Sequence, residues 1–95
     1  MHVFYVYVLQ SLKDNKLYTG FTDNLERRIE EHNNREETST KSRAPFKLVY
    51  FEGCLSKKDA VAREKYLKTG KGKRHLNYRL NQYLKDLDQS DVEVG

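Results

Sequence analysis

Residues 4–20 read F-Y-V-Y-V-L-Q-S-L-K-D-N-K-L-Y-T-G, and this stretch decides the fold. The apolar run at its start is rich in β-branched and aromatic side chains, which predicts a strand over residues 2–10 that is buried on both faces. Residues 13–15, Lys-Asp-Asn, have the chemistry of a turn. Residues 16–21 predict a second strand, and the short connection predicts an antiparallel hairpin that closes at Gly20.

The rest of the chain predicts further elements around this hairpin. In order these are a helix with Asp23 as N-cap that ends near residue 33, a polar loop over residues 33–45, a third strand over residues 46–52, a helix from residue 57 to about 69, a break at residues 70–72 and a last helix over residues 74–87. The fold class is therefore α/β, of the α+β kind: a small three-stranded antiparallel sheet flanked by three or more helices. We expect one domain over residues 1–87, followed by a flexible acidic tail over residues 88–95.

Charge is distributed unevenly along the 95 residues, although the net charge is only +4. Residues 54–85 carry ten basic and two acidic side chains, whereas residues 86–95 carry four acidic side chains and no basic ones. A block of this kind favours an anionic partner such as a nucleic acid, although a solvated lysine-rich helix face would have the same composition.

Other sequence features bear on the protein's location. The single cysteine, Cys54, favours a reducing cytoplasm and argues against a disulfide-linked partner. The sequence has neither the features of a signal peptide nor an apolar run long enough to span a membrane, so we expect a cytoplasmic protein without a membrane partner. The sequence leaves the oligomeric state open.

Glu64 is the most unusual residue of the predicted helices, because it falls within an apolar stripe that includes Ala60 and Leu67. A carboxylate at such a position needs a salt bridge, a metal ion or a raised pKa. Judged from periodicity alone, a structural salt bridge with a residue such as Arg28 or Lys65, or a helix turned so that Glu64 meets water, is the favoured explanation. Tyr7 and Tyr18, each taken alone, are more typical of core packing than of chemistry, since a free tyrosine is a poor base at neutral pH.

An ordered set of motifs nevertheless resembles one known family. Tyr5-Val6-Tyr7, ten intervening residues and then Tyr18-Thr19-Gly20 are similar to the paired motifs of the GIY-YIG nuclease domain. Arg28 follows ten residues after Tyr18, His32 lies one helical turn further on, and Glu64 lies in A-R-E-K-Y-L-K. The later K-T-G-K-G-K-R segment is similar to small stand-alone bacterial members related to the excinuclease nuclease domain. The resemblance covers residues 2 to about 85.

The resemblance implies a metal-dependent endonuclease that hydrolyses phosphodiester bonds in DNA, with a possible place in DNA repair or recombination. Its implied catalytic residues are Tyr7, Tyr18, Arg28, His32 and Glu64. Glu64 would also hold Mg²⁺ or Mn²⁺, while Gly20, Lys71, Lys73, Arg74 and Asn77 would contact or support the substrate. There are three departures from the family motif: Tyr5 occupies the place of its first glycine, and Val6 and Thr19 each occupy that of an isoleucine.

Two other functions stay open at this point. A nucleic-acid-binding module of the same fold that has lost catalysis would keep the basic block. A scaffold protein would use the tyrosines as core and Glu64 as a structural ion-pair partner. The sequence also leaves open whether the substrate is branched, damaged, single-stranded or duplex DNA, or RNA.

Overall fold

The computed structural model describes the backbone of residues 1–94 and the side chains of residues 1–87. Its strands are β1 (Phe4–Ser11), β2 (Leu17–Thr22) and β3 (Phe46–Cys54). Its helices are α1 (Leu25–Asn33), α2 (Lys57–Leu67), α3 (Gly70–Arg79) and α4 (Asn81–Val94), with a short 3₁₀ helix at Lys41–Arg43. The chain divides into two compact units, Met1–Lys65 and Tyr66–Gly95. The single domain expected for residues 1–87 stays a prediction.

The sheet of the first unit is antiparallel with the strand order β2-β1-β3, as the sequence predicts. Strand β1 is central and buried from Val6 to Ser11 because both of its edges are paired. Tyr7 lies opposite Gly20 on one side and Phe51 on the other. The pattern of near-continuous apolar residues in β1 thus follows from its place at the centre of the sheet.

The sheet face that carries Tyr7 packs against α1. Tyr7, Leu9, Ala44 and Phe46 form a buried cluster, against which four partly buried residues pack: Tyr18, Leu25, Ile29 and Leu48. Leu25 and Ile29 are four apart and therefore lie on one face of α1. Their packing fixes the helix over the hairpin, so that the other side chains on its inner edge meet Tyr7.

The N-cap of α1 differs from the predicted one. The Asn24 side chain accepts the Arg27 amide at 3.1 Å, while Asp23 forms an ion pair with the Arg27 guanidinium at 3.4 Å. The prediction that Asp23 is the N-cap is therefore wrong. Both residue types cap helices well, and Thr22 favours Asn24 because its hydroxyl accepts the Asn24 amide at 3.1 Å.

The helices of the second unit also begin and end differently from the prediction. The Thr69 hydroxyl accepts the Gly72 amide at 3.1 Å, so α3 begins at Gly70 rather than near residue 74. A Cβ at Gly72 would overlap the Tyr66 carbonyl oxygen, which explains a glycine inside a helix. The predicted single helix over residues 74–87 is two helices, separated at Leu80.

The acidic end of the chain lies at the limit of the described residues. The backbone of α4 is helical as far as Val94, whereas the side chains of residues 88–94 and the whole of Gly95 lie outside the described part. The flexible tail expected for residues 88–95 therefore stays a prediction. Within the described part of the chain, no helix combines the length and the apolar character that a membrane span requires.

Candidate active site

Tyr7 is the centre of the candidate site, since its hydroxyl is shared by two side chains of α1. The Tyr7 side chain is 1% exposed. Its oxygen lies 2.9 Å from His32 Nε2 and accepts the Arg28 Nε–H at 3.3 Å. Arg28 and His32 are four residues apart and so project from the same face of the helix. One phenol oxygen thus connects the sheet to a cation and an imidazole.

Gly20 makes room for this phenol. It lies directly opposite Tyr7 in the β1–β2 pair, and a Cβ built there would overlap the Tyr7 hydroxyl and its ring carbon Cζ. Its backbone φ is not positive. Gly20 is therefore required by the close approach of the tyrosine and not by an unusual backbone angle.

His32 is enclosed on every side. It has no exposed surface, and the rings of Tyr7, Tyr18 and Phe46 meet it edge-on with centroid distances of 5.8, 5.2 and 5.8 Å. Its second ring nitrogen, Nδ1, lies 2.7 Å from the Thr40 hydroxyl. Burial, followed by the positive charge of Arg28, lowers the pKa of His32 below its usual value of 6.5. The imidazole is consequently neutral at pH 7.

Arg28 is held by two carboxylates as well as by Tyr7. Its Nη1 donates to Glu31 at 3.1 Å and its Nη2 to Glu37 at 2.8 Å. Burial works against its charge, but the hydrogen bonds to Tyr7, Glu37 and Glu31 outweigh burial and raise the pKa of Arg28. A guanidinium has five N–H donors, so two remain after these three bonds. Arg28 is thus a fixed cation that retains donors for a further anion.

The acidity of Tyr7 reflects opposing influences. Burial raises its pKa to about 12, although the hydrogen bond and charge of Arg28 act in the opposite direction. Tyr18 and Glu64 raise it further through their own charges. The phenol is therefore protonated at neutral pH in the free protein.

Glu64 lies on α2, and its neighbour Arg63 attaches that helix to the sheet. Arg63 donates two hydrogen bonds to Glu52 of β3, at 2.9 and 3.2 Å, and the Tyr50 hydroxyl donates to the same carboxylate at 2.9 Å. A bidentate pair of this kind fixes direction as well as distance. Glu64 itself is half-buried, between the buried Ala60 and Leu67 of the predicted stripe. The contact of Arg63 with Glu52 therefore fixes the part of α2 on which Glu64 lies.

The candidate metal ligand is a single carboxylate, that of Glu64, which suits a hard cation held by few protein ligands. In the described residues, no group of three or more His, Cys, Asp or Glu side chains is arranged to hold a metal ion. Mg²⁺ commonly binds through one or two carboxylates, with waters and substrate phosphates as its other ligands. Glu64 fits that mode of binding, whereas a closed all-protein metal cage does not fit the described side chains.

The predicted substrate residues divide between the two units. Gly20 lies in the first unit beside Tyr7. The others are on α3 in the second unit, where their side chains are exposed: Lys71, Lys73, Arg74 and Asn77. Their exposure leaves them accessible to a charged partner, and their roles stay predictions.

Sequence reasoning missed several residues that hold the site together. Glu31 could have been found, because it lies three residues after Arg28 on the same helix, a spacing typical of ion pairs. Glu37 and Thr40 lie in the polar loop, where no periodic pattern predicts a contact. The pairing of Glu52 with Arg63 joins a strand to a later helix, so it depends on the tertiary fold.

Comparison with known proteins now places the chain in a family. The family model described as the GIY-YIG catalytic domain matches residues 3–78. The chain belongs to the GIY-YIG family. This confirms the resemblance drawn from the paired tyrosine motifs and the predicted fold class, a three-stranded antiparallel sheet with flanking helices.

The similar relatives are small proteins of bacteria and archaea. The UPF0213 protein of Clostridium perfringens (strain 13 / Type A) is 52% identical over 65 residues, which are 67% of this GIY-YIG chain and 69% of that protein. The UPF0213 protein of Natronomonas pharaonis is 47% identical over 66 residues, which are 68% of this chain and 76% of that protein. The solution NMR structure of a UPF0213 protein from Bacillus halodurans is 35% identical, with a TM-score of 0.48 and coverage of 78% of this chain and 81% of that one. These names state no activity.

Proposed function

We propose that this protein is a metal-dependent endonuclease that hydrolyses phosphodiester bonds in DNA, with a role in repair or recombination. One observation carries the proposal: in a chain with a GIY-YIG catalytic domain, the Tyr7 oxygen is held jointly by Arg28 and by a buried, neutral His32. Core packing alone does not require a tyrosine hydroxyl at that position. The lone Cys54 agrees with a cytoplasmic location for such an enzyme.

In this proposal the reacting form of Tyr7 is the phenolate, which has released its proton to solvent beforehand, and its oxygen receives a proton from the attacking water. The water oxygen forms a bond to phosphorus, and the P–O ester bond breaks with its electron pair on the leaving oxygen. Arg28 stabilises the negative charge that develops on the phosphate, and Tyr18 orients the water or a phosphate oxygen. A single fixed donor of this kind contributes about 3–4 kcal/mol to lowering a barrier.

Glu64 is the residue that would hold the divalent cation, Mg²⁺ or Mn²⁺. When bound, the cation supplies Lewis-acid stabilisation of charge on the phosphate and the leaving oxygen. The bidentate contact of Arg63 with Glu52 supports this role, because it fixes the helix on which Glu64 lies.

The charge distribution supports a nucleic acid as the partner. Residues 54–85 have ten basic and two acidic side chains, and Lys71, Lys73 and Arg74 are exposed on α3. Such side chains neutralise backbone phosphates without reading the base sequence. DNA is our preferred substrate, and we place no restriction on its structure.

A cleavage screen tests the proposal. Branched, damaged, single-stranded and duplex DNA are incubated with Mg²⁺, with Mn²⁺ and with a chelator, using wild type, Glu64→Ala and the control Asp59→Ala. Asp59 is an exposed carboxylate on the same helix. We expect cleavage that requires metal and Glu64 but not Asp59. Full activity of purified Glu64→Ala would overturn the mechanism.

Two observations favour a second candidate, a nucleic-acid-binding module without catalysis. Arg28 is already paired with Glu31 and Glu37, and the pKa of Tyr7 is raised to about 12, two conditions that oppose hydrolysis. In that case the protein would bind DNA in a gel-shift assay, with an affinity that falls as salt rises. It would cleave none of the substrates with either metal.

A further inference from the structure

Two aromatic side chains flank Tyr7 on the sheet and have no part in the proposed mechanism. Tyr5 precedes Tyr7 by two residues on β1, and Phe51 lies directly opposite Tyr7 on β3. Side chains at alternate positions of a strand, and at directly paired positions of two strands, share one face of the sheet. Tyr5 and Phe51 therefore lie on the face that carries Tyr7, with Cα atoms about 5–7 Å from its own.

Phe51 is exposed although it lies in the middle of a strand. It is 52% exposed, whereas Tyr7 opposite it is 1% exposed. Tyr5 meets it edge-on, with ring centroids 6.1 Å apart and an interplanar angle of 66°. A flat group that stacks on the open face of one ring meets the other ring edge-on, and these are the two arrangements that aromatic rings prefer. Tyr5 and Phe51 thus form an aromatic platform that is open to solvent.

The aromatic platform is one wall of an open cleft. The other wall is the first turn of α1 with the residues before it, and the cleft has a volume of about 370 Å³. Its lining residues all belong to the first unit: Tyr5, Asp23, Asn24, Leu25, Glu26 and Phe51. Sites for small molecules in proteins begin at about 300 Å³. The cleft therefore has room for a flat ring such as a nucleobase.

The charges at the cleft suit a base better than a phosphate. Its charged lining residues are the carboxylates Asp23 and Glu26, and Asp23 also pairs with Arg27 at 3.4 Å. Carboxylates repel a phosphate, whereas they accept hydrogen bonds from the amino groups on base edges. The cation that suits a phosphate is Arg28, which holds the Tyr7 oxygen. A nucleotide whose phosphate lies at Tyr7 would thus place its base, and not a second phosphate, in the cleft.

The cleft also gives a role to a departure from the family motif. Tyr5 occupies the place of the family's first glycine. A glycine at this position would remove the ring that meets Phe51 and would open the cleft to the backbone of β1. The aromatic platform is therefore a feature of this chain's own sequence and is not part of the family's paired motifs.

We propose that Tyr5 and Phe51 stack an unpaired base of the nucleotide beside the phosphate that is cleaved at Tyr7. The substrate then carries an unpaired nucleotide at the cleavage point, as in a single strand, a loop or a branch, because a base within a duplex stack cannot reach a protein ring. The position of the phosphate rests on the proposed function. The stacking itself requires no catalysis, so binding measurements test it separately.

Binding of single-stranded DNA tests the aromatic platform. A short labelled oligonucleotide is titrated with protein that carries Glu64→Ala, and fluorescence anisotropy gives Kd. We expect Phe51→Ala, Phe51→Leu and Tyr5→Leu each to raise Kd about 5–150-fold, the usual effect of losing one stack between a base and an aromatic ring. Phe51→Tyr and Tyr5→Phe keep the rings and should bind like the parent protein. Leu12→Ala, at an exposed apolar residue after β1, is the control for loss of apolar surface.

An abasic strand shows whether the contact is with a base. The same titrations are made with an oligonucleotide of equal length whose backbone is intact but whose bases are all absent. We expect the parent protein to bind this strand more weakly than the normal one. Phe51→Leu should bind the abasic strand like the parent, because the ring has no base to stack on.

The outcomes separate this inference from the proposed function. Parent-like Kd of Phe51→Leu on the normal strand, an equal rise in Kd on both strands, or no affinity for single strands overturns the aromatic platform. If wild type binds in the base-dependent manner but cleaves no DNA, the proposed function fails and the aromatic platform stands. If Phe51→Ala does not fold, Phe51→Leu and the comparison of the parent on the two strands still decide.

Discussion

Tyr7 combines a position in the buried core with a hydroxyl that has polar partners on α1. Tyr7 is buried because it lies on β1, the central strand of the sheet. Its hydroxyl has two partners because Arg28 and His32, four residues apart, project from one face of α1. Burial dominates the acidity of the phenol, since its pKa is raised to about 12. Only a small fraction of a phenol with this pKa is phenolate at pH 7. The pH dependence of the reaction therefore tests whether the Tyr7 phenolate is the base.

Cleavage should accelerate as pH rises. The pKa of Tyr7, about 12, lies above the working range, so the phenolate fraction grows about tenfold per pH unit below that value. Because kcat/KM reports the ionisation of the free enzyme, we expect log kcat/KM with Mg²⁺ to rise with a slope near one between about pH 7 and pH 9. A plateau or a decline in that interval would exclude Tyr7 as the base.

Gly20→Ala should damage both the fold and the site. The new methyl group would overlap the Tyr7 ring and force it to move, and overpacking of this kind costs about 1–3 kcal/mol. We expect a matching loss in the free energy of unfolding by urea, together with a loss of DNA cleavage. Gly70→Ala is the control, since its Cβ would meet only an Arg74 nitrogen at 3.8 Å. Wild-type stability in Gly20→Ala would contradict this prediction, because the Tyr7 ring could then move away from β2 without loss in the free energy of unfolding.

Prediction from sequence succeeded for residues whose position follows from local periodicity. The hairpin places Gly20 beside Tyr7, and helical spacing places Arg28 and His32 together. It failed for Thr40 and Glu37, because a loop has no repeating geometry that relates a residue to its neighbours in space. The chain must fold before those contacts exist.

The loop between α1 and β3 is attached to the site through charge as well as through Thr40. The hydrogen bond and positive charge of Arg28 lower the pKa of Glu37 below its usual 4.5. A carboxyl whose folded pKa is lowered contributes stability that is present above the unfolded pKa and is lost as pH falls through the folded value. The contact of the loop with α1 should therefore weaken in acid.

Glu37→Gln tests this attachment. At pH 7 we expect the variant to melt at a lower temperature than wild type, because the charged partner of Arg28 is gone. The difference should disappear well below pH 4.5, where wild-type Glu37 is also protonated. Glu36→Gln, at the exposed neighbouring residue, should melt like wild type at both pH values. A melting difference for Glu37→Gln that persists unchanged in acid would contradict an electrostatic origin.

The three strands, the end of α1 and the start of α2 were predicted correctly, whereas the start of α3 and its separation from α4 were not. Three apolar, β-branched segments leave few alternatives to a small sheet. The ends of α3 depend on finer choices, such as the capping of Gly72 by Thr69 and the backbone turn at Leu80. Gly70 and Gly72, separated by one lysine, suggested a break, but the hydroxyl of Thr69 caps a helix that begins at Gly70. Which of several neighbouring residues begins a helix depends on which side chain accepts a backbone amide, and amino-acid composition does not determine that choice.

Across the whole chain, excess positive charge is concentrated in residues 54–85. Binding through phosphates releases counterions, so affinity should fall linearly on a logarithmic scale as salt increases. Each of the three alanine variants, of Lys71, Lys73 and Arg74, should reduce the slope of log Kd against log salt by about one without changing sequence preference.

These measurements are made in a protein that also carries Glu64→Ala, so that cleavage does not interfere. Lys16→Ala, an exposed lysine outside the block, is the control. Unchanged slopes in the three α3 variants would show that DNA binds elsewhere.

In the proposed function, the residues for catalysis and the residues for DNA affinity belong to different units of the chain. Tyr7, Arg28 and His32 lie in the first unit, and the exposed basic residues of α3 lie in the second. The GIY-YIG family match extends over residues 3–78 and so includes parts of both units. We accordingly expect catalysis and binding to be separable by mutation.

Metal-dependent cleavage by Tyr7→Phe tests the central claim most directly. The substitution removes one oxygen and leaves the buried ring, so wild-type helix content and melting behaviour can be verified beside it, with Tyr78→Phe at an exposed tyrosine as the control. With the best DNA substrate and Mg²⁺ under single-turnover conditions, the account predicts a fall in the cleavage rate of about 10²–10⁴-fold for Tyr7→Phe, the usual contribution of a general base, and none for Tyr78→Phe. A folded Tyr7→Phe protein that cleaves at the wild-type rate would contradict it.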